Sequence, residues 1–335
     1  MSDNVAVRAG TASTHKRAGK IALAALKIAI TAGCFWYLSR QIDTASVAAG
    51  MAKMDLRWVG LATFLMMLEI PLVGLRWCAV VHAISDTDWR APPGTMILIA
   101  AISNFFSQVL PSIAGEGVRS WLLARLGCGW RIGITSVLID RAVGVGLLFI
   151  LTIAILLLPS GIAALGGFRD YVLVAYGTCL LAGVVALLLL SRIIPLLERY
   201  RYLRWASSLM ASVRRVLFGR TAPAILGLGL AVHALTILAL WCIGRAQGLM
   251  LPLSDAAVLF VVVLGVALVP ISIGGWGVRE LAIVSLLGRH GLAPEQALLF
   301  SVSFGIVLAL SALPGGVAWL FYAGPVPKTA AEVGG

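Results

Sequence analysis

Charge is what this sequence has least of. Only 12% of its 335 residues are charged, where soluble domains run near about a quarter. So few charges cannot cover the surface of a soluble domain. Acidic residues are the scarcer sign, 14 against 26 Lys and Arg, for a net charge of +12. A basic balance can mark a nucleic-acid binder, but here the basic residues gather in tails and loops without interleaved aromatics, which excludes that class. Cysteines are few (Cys34, Cys78, Cys128, Cys179, Cys242), far apart and mostly within apolar runs, with no CxxC pair. They are expected to be packing thiols. No HExxH spacing exists among the four histidines, so no metal site is expected. No GxxxxGK[ST] loop is present to cradle nucleotide phosphates, and no GxSxG frames a nucleophile. No cofactor and no catalytic residue is therefore expected. The longest polar segment, 192–222, is too short for a separate enzymatic domain.

Apolar sequence fills the space that charge leaves. Hydrophobic residues make up 60% of the chain, and mean hydropathy is +1.00. They come in runs at 21–38, 58–84, 95–110, 134–158, 171–191, 223–245, 254–270 and 296–322. About 20 helical residues cross a bilayer core, and open sheets are excluded there because their edges leave backbone groups unpaired. The runs predict an all-α polytopic membrane protein with about eight transmembrane helices. Residues 1–20 read as a basic N-terminal tail, 21–322 as one integral membrane domain and 323–335 as a C-terminal tail. Arg8, Lys16, Arg17 and Lys20 precede the first run, which lacks a clean cleavage site and reads as a span rather than a signal peptide. Trp36, Trp58, Trp89, Trp121, Trp130 and Trp319 fall near run ends, as interfacial belts require.

Basic loops tend to stay cytoplasmic. Segment 192–222 carries Arg192, Arg199, Arg201, Arg204, Arg214, Arg215 and Arg220 against Glu198 alone, and reads as a cytoplasmic loop. The N-terminal tail is basic too, yet five runs separate the two. Either one signal is overridden, or the stretch 112–130 alters the number of crossings.

That stretch belongs to an internal repeat. Ser112-Ile113-Ala114-Gly115-Glu116-Gly117-Val118-Arg119 matches Ser272-Ile273-Gly274-Gly275-Trp276-Gly277-Val278-Arg279 at six of eight positions, and Pro111 and Pro270 stand just upstream. The repeat halves are placed at about 58–158 and 223–322. Proline stops a helix by removing an N–H and clashing with the preceding turn, and glycine allows close backbone approach. Two re-entrant or broken helix segments are thus predicted, at about 112–130 and 272–289. Irregular backbone at membrane depth survives only when buried in protein or lining a wet cavity. Paired Gly/Pro-interrupted segments in two halves point to a transporter's binding site. N–H groups freed at a half-helix start suit an anion, and an adjacent arginine suits phosphate, being planar and always charged. Ser112, Gly115, Glu116 and Arg119, with Ser272, Gly274, Gly275, Gly277, Arg279 and Glu280, are accordingly candidates for substrate binding. A pair of tight interfacial loops is the plainer alternative. Glu116 and Glu280 weigh against it, because a buried Glu–Arg pair is a poor source of net stability.

Other polar residues sit inside the runs. Asp140 and Arg141 stand in tandem within an apolar stretch and complete the substrate-binding set, since ionisable groups at such depth face a cavity or a partner. Glu69 and Arg76 lie seven apart on one helix face, with Pro71 between them. Asn104 and Gln108 lie four apart and lead toward Pro111. These four are expected to line a cavity, although ordinary interhelical hydrogen bonding fits Asn104 and Gln108 equally well. His233, within another run, reads as a packed core histidine.

With these residues the chain resembles the flippase-like membrane domain found as the transmembrane region of lysylphosphatidylglycerol synthases and as free-standing relatives. The resemblance is carried by Asn104 ahead of Pro111, Gly115-Glu116-x-x-Arg119, Asp140-Arg141, and Pro270 followed by Gly274-Gly275-x-Gly277-Val278-Arg279-Glu280, and covers roughly residues 20 to 322. It implies that Glu116, Arg119, Asp140, Arg141 and Glu280 match the family's polar positions. Two positions depart from the pattern: Gly144 stands where the family often has a carboxylate, and Ser301 and Ser303 stand where it often has an arginine. The resemblance implies a membrane protein without enzyme activity of its own. The soluble synthase domain that follows in the family is not in this sequence, so aminoacyl transfer is not expected. Implied instead are membrane lipids with an anionic or lipid-linked headgroup as partners, a lipid-modifying enzyme as a further partner, and the bacterial inner membrane as the location. An intramembrane enzyme acting on a lipid phosphate, an ion-coupled carrier of small solutes and a non-transporting accessory subunit remain open.

Overall fold

The computed structural model describes residues 44–85, 92–109, 112–158, 168–197, 204–268, 277–289 and 291–322. Every regular element among them is helical. In chain order they are α1 (Thr44–Ala52), α2 (Leu56–Ile84), α3 (Pro93–Val109), α4 (Ser112–Leu123), a π-helical turn (Ala124–Cys128), α5 (Gly129–Leu157), α6 (Phe168–Leu197), α7 (Arg204–Phe218), α8 (Ala222–Ala246), α9 (Leu253–Leu268), α10 (Val278–Arg289) and α11 (Pro294–Leu320). The first apolar run, 21–38, lies outside the described residues.

Five stretches are long and apolar enough to cross a membrane: Leu56–Ile84, Ala114–Leu157, Arg169–Leu189, Ala222–Ala246 and Pro294–Leu320. The expected number of about eight is therefore not reached among the described residues: the first run lies outside them, and two others form short helices. α3 has 17 residues and α9 has 16. At 1.5 Å per residue each spans about 25 Å, short of a core about 30 Å thick. Each instead precedes a 12-residue helix, α4 or α10. The stretch Ala114–Leu157 has 44 residues, twice what one crossing needs, and it folds back on itself. Gly127 and Gly129 adopt φ of 99° and 78°, a conformation L side chains resist, and they turn α4 into α5 as an antiparallel hairpin. Ser120 packs against Gly133 across that turn, where an added Cβ would lie 2.7 Å from the Ser120 carbonyl oxygen.

The interruption thus falls beside the expected place. The first copy of the repeat motif is regular helix from Ser112 onward, and the break follows it at Gly127–Gly129. α4 is wedged between α3 and α5. Its approach to α3 is close: a Cβ on Gly115 would lie 1.9 Å from Ser107 Oγ and 2.6 Å from the Ser103 carbonyl oxygen. Ser103 Oγ donates to the Gly115 carbonyl at 2.8 Å. In the second copy, Ser272, Gly274 and Gly275 lie outside the described residues.

Helix lengths repeat along the chain. The order 29, 17, 12, 29 for α2 to α5 recurs as 25, 16, 12, 27 for α8 to α11. The leading helices of the two sets, α2 and α8, pack against each other. They run antiparallel: the Asp55 amide bonds the Ala246 carbonyl at one end, while Glu69 meets Thr236 in the middle. A two-fold axis relating antiparallel helices is perpendicular to them. The repeat is therefore of the inverted kind, with its axis in the plane of the membrane.

Segment 192–222 is not a loop throughout. α6 continues to Leu197, and Arg204–Phe218 forms α7. Leu209, Val213, Val216 and Leu217 recur at helical spacing and pack against Val80, Ile84, Ile139 and Ile225, while Arg214 stays exposed. The charge count of this segment concealed its apolar stripe.

The largest core cluster joins α8 to α11 with α2 and α5, around Leu240, Phe260, Phe300 and Phe304. A second surrounds Trp77, Met96, Ile102, Leu122 and Val137 in the first half. The polar site lies against this second cluster.

Candidate functional site

Three helices meet at the first copy of the motif. α4 presents Glu116 and Arg119 three residues apart, on one face. The hairpin at Gly127–Gly129 brings Asp140 and Arg141 of α5 opposite them. α2 supplies Arg76 and Trp77. The result is a row of alternating charges. Arg76 Nε donates to Asp140 Oδ1 at 2.9 Å. Asp140 Oδ2 lies 3.0 Å from Arg119 Nη2. Arg119 Nη1 lies 3.8 Å from Glu116 Oε2, and the other oxygen of Glu116 accepts from Arg141.

Burial is deepest at Asp140 and falls from there toward Arg141. The side chains of Asp140, Arg119 and Arg76 are 1%, 4% and 7% exposed, Glu116 is 18% exposed and Arg141 59%. Three arginines face two carboxylates, so the row carries one surplus positive charge. That surplus is not spread evenly. Arg76 makes two bonds to Asp140, whereas Arg119 Nε and Nη2 have no hydrogen-bond partner among the described residues. Nη2 is near Asp140 but is not aligned for a hydrogen bond. Glu116 Oε2 likewise makes no hydrogen bond among the described residues. Buried polar atoms left in this condition are uncommon in folded proteins, and the exceptions cluster where something binds.

Arg119 is held in place by contacts other than hydrogen bonds. Its guanidinium carbon lies 4.1 Å from the centroid of the Trp77 ring. Trp77 is fully buried and donates from Nε1 to Ser136 Oγ at 3.1 Å, and Ser136 donates to the Gly133 carbonyl at 2.9 Å. A cation over a desolvated indole is worth about 2 kcal/mol. Arg76 lies in a slot floored by glycines: an added Cβ on Gly144 or Gly229 would meet its guanidinium at 3.5 or 3.4 Å.

The second copy is organised differently. Arg279 pairs with its neighbour Glu280, whose Oε1 lies 2.7 Å from Nη2, and Ser301 of α11 donates to the same oxygen at 3.1 Å. The Gly277 amide donates to the other oxygen, Glu280 Oε2. The N–H expected to be free for an anion at this helix start is therefore taken by the chain's own carboxylate. Arg279 and Glu280 are 5% and 0% exposed. Asp140 stands 21 residues after Arg119, whereas the same step from Arg279 reaches Phe300. At that position the second half has no acid, and Glu280 pairs with Arg279 from the same helix.

Asp140 and Arg141 join the motif from across the hairpin, and Arg76 joins them from α2. Glu69 does not: it faces α8, where Thr236 Oγ1 is 3.1 Å away. Asn104 is half-buried and Gln108 exposed, and the contacts that bind α3 to α4 come from Ser103 and Ser107 instead. Gly115 is the point of helix contact rather than an unwound link, and of Ser112 only the backbone is described. The two halves of the site are not joined by any ion pair among the described residues. Trp77 and Ser136 escaped the sequence reading. The signal for Trp77 was its place inside a run, next to Arg76.

Several apolar helices, a tight helical hairpin and buried charge describe a multi-pass membrane protein. No curated protein and no solved structure matches the chain. The family model described as lysylphosphatidylglycerol synthase TM region matches residues 24–315, and the chain belongs to that family, a membrane family linked to lipid modification.

Proposed function

We propose that this chain is a flippase-like transporter that moves a lipid or lipid-linked intermediate across the bacterial inner membrane. One observation carries this function. Arg119 is a buried guanidinium in which Nε and Nη2 make no hydrogen bond among the described residues, although Nη2 is ion-paired with Asp140, and it lies in a row whose outer end, Arg141, is exposed. An anionic headgroup oxygen fits those N–H groups, and charge-assisted bonds to arginine are the strong ones. The surplus positive charge of the row matches one negative charge on the ligand. Glu116, with one oxygen that makes no hydrogen bond among the described residues, suits a cationic or hydroxyl part of the same headgroup. The lipid tails stay in the bilayer while the headgroup travels along the row. The inverted pairing of α2 and α8 supplies two halves that can rock against each other.

In this function the protein catalyses no covalent step, and a lipid-modifying enzyme is its natural partner, as the family's name indicates for its synthase members. The test is reconstitution in vesicles with fluorescent lipids and measurement of leaflet exchange. Arg119→Ala is expected to slow exchange by at least about tenfold, the equivalent of one lost charge-assisted bond, and Arg119→Lys to recover part of it. Exchange that is unchanged in Arg119→Ala overturns the assignment of the site. Turnover of a lipid to a new product by the purified chain would instead reveal an intramembrane enzyme.

A further inference from the structure

Glu69 stands apart from the charged row, and its surroundings are unusual. It lies 13 residues beyond Leu56 and 15 before Ile84 in the membrane-spanning α2, which places it about 20 Å from either end of the helix, near the bilayer midplane. Among the described residues no cation pairs with it, and its hydrogen-bond partner is the hydroxyl of Thr236. A lone carboxylate at such depth is costly.

The hydroxyl itself resolves the matter. Thr236 Oγ1 lies 3.1 Å from Glu69 Oε2 and also 3.1 Å from the carbonyl oxygen of Val232. A threonine hydroxyl has one proton to donate. If Glu69 is ionised, two acceptors compete for that proton and one goes without. If Glu69 carries a proton, both contacts become hydrogen bonds: the acid donates to Thr236, and Thr236 donates back to Val232 in the usual arrangement of a helical threonine.

The other titratable groups on the helices packed against α2 do not supply a counter-charge. α8 brings His233, one turn from Thr236, whose Nε2 is 3.2 Å from the Gly144 carbonyl, and Arg245, which lies in the last turn over Trp58 and Trp241. α5 brings Asp140 and Arg141, which are paired with Arg76 and Glu116, and Arg131 in its first turn. α3 contains no titratable side chain, α11 carries Glu295 in its first turn, and Arg214 and Arg215 belong to the stretch of α7 that packs by the Val80–Ile84 end. On α2 itself the nearest charge is Arg76, two turns away and engaged by Asp140.

The geometry points to Glu69 as a proton-binding site within the span, whose loading and release couple lipid movement to the proton gradient. The coupling rests on the transport proposed above; the proton site does not. Arg76 is the link between them. While Asp140 holds Arg76, Glu69 keeps its proton. An anionic headgroup that moves along the row from Arg119 and takes the place of Asp140 at Arg76 breaks the Arg76–Asp140 pair. Arg76 then offers its charge to Glu69, which favours the ionised acid. The proton leaves Glu69 and returns when the row closes again.

Two measurements on the full chain in lipid test this. Infrared spectroscopy at neutral pH should show the carbonyl band of a protonated carboxyl that disappears in Glu69→Gln. In Thr236→Val, which keeps the shape of the side chain, the same band should persist at a higher frequency because its hydrogen bond is lost. Absence of a Glu69-dependent band overturns the proton site. In vesicles with fluorescent lipids, a pH difference of about one unit should shift the wild-type leaflet ratio by up to about tenfold per coupled proton. Glu69→Gln should remove that response. A wild-type chain that exchanges lipid with no response to the gradient, or a Gln variant that keeps the response, overturns the coupling and leaves the transport function intact. A wild-type chain that exchanges no lipid overturns transport and coupling together, and the infrared band alone then decides whether Glu69 holds a proton.

Discussion

Arg119 rests on Trp77: the guanidinium carbon is 4.1 Å from the indole centroid, and the indole N–H is fixed by Ser136 at 3.1 Å. The ring is thus both floor and spacer, keeping a charged side chain in position without using its N–H groups. Trp77→Phe retains a ring under Arg119 and loses the bond to Ser136, at a cost of about 1 kcal/mol. Trp77→Ala opens a cavity and is expected to cost about 3 kcal/mol or more. Thermal unfolding in detergent should rank the two in that order. Lipid exchange should survive in the Phe variant and fall in the Ala variant.

Asp140 is shared by two buried arginines, whereas Arg141 sits at the exposed end of the row with 59% of its side chain exposed. Asp140→Asn leaves Arg76 without a counter-charge in a buried site and Arg119 with only the more distant Glu116, and about 3–5 kcal/mol of stability should be lost. Arg141→Gln breaks an exposed pair worth about 0–1 kcal/mol. Unfolding midpoints of the two variants should differ accordingly. A double variant, Asp140→Asn with Arg76→Gln, should recover part of the loss by removing one stranded charge.

Glycines at two helix contacts respond differently to a methyl group. On Gly144 the added Cβ meets the Arg76 guanidinium at 3.5 Å, an ordinary contact. Gly144→Ala should therefore be neutral or gain up to about 1 kcal/mol from helix propensity. On Gly315 the Cβ falls 2.0 Å from the Ala101 carbonyl oxygen, so α3 and α11 must separate. Gly315→Ala should destabilise by about 1–3 kcal/mol. Heat-induced loss of the monodisperse peak on gel filtration would check both. A Gly315→Ala variant as stable as the wild type would mean that α3 and α11 are not in contact in the membrane.

Much of the fold was legible because lipid imposes a simple rule. Long apolar runs must be helices, and α2, α5, α6, α8 and α11 follow the runs closely. α3 and α9 follow them too, but their shortness matters only once the partner helix that turns back on each is known. The repeat was visible as a sequence match, yet its inverted sense required the antiparallel packing of α2 on α8. α7 was hidden because a high density of arginine masked apolar residues three and four apart.

The site divides along the same line. Sequence alone determined that Glu116, Arg119, Asp140, Arg141, Arg279 and Glu280 lie in or beside apolar helices, because residue type and hydropathy are local properties. It also determined that each arginine of the repeat has a carboxylate close by. Only the tertiary structure decided which carboxylate serves which arginine. The turn at Gly127–Gly129 carries Asp140 across to Arg119, and α2 adds Arg76 and Trp77 from more than forty positions away. In the second half the helix keeps its own acid. Pairing of charges depends on distances of 3 to 4 Å between different helices, and no periodicity along a chain encodes those.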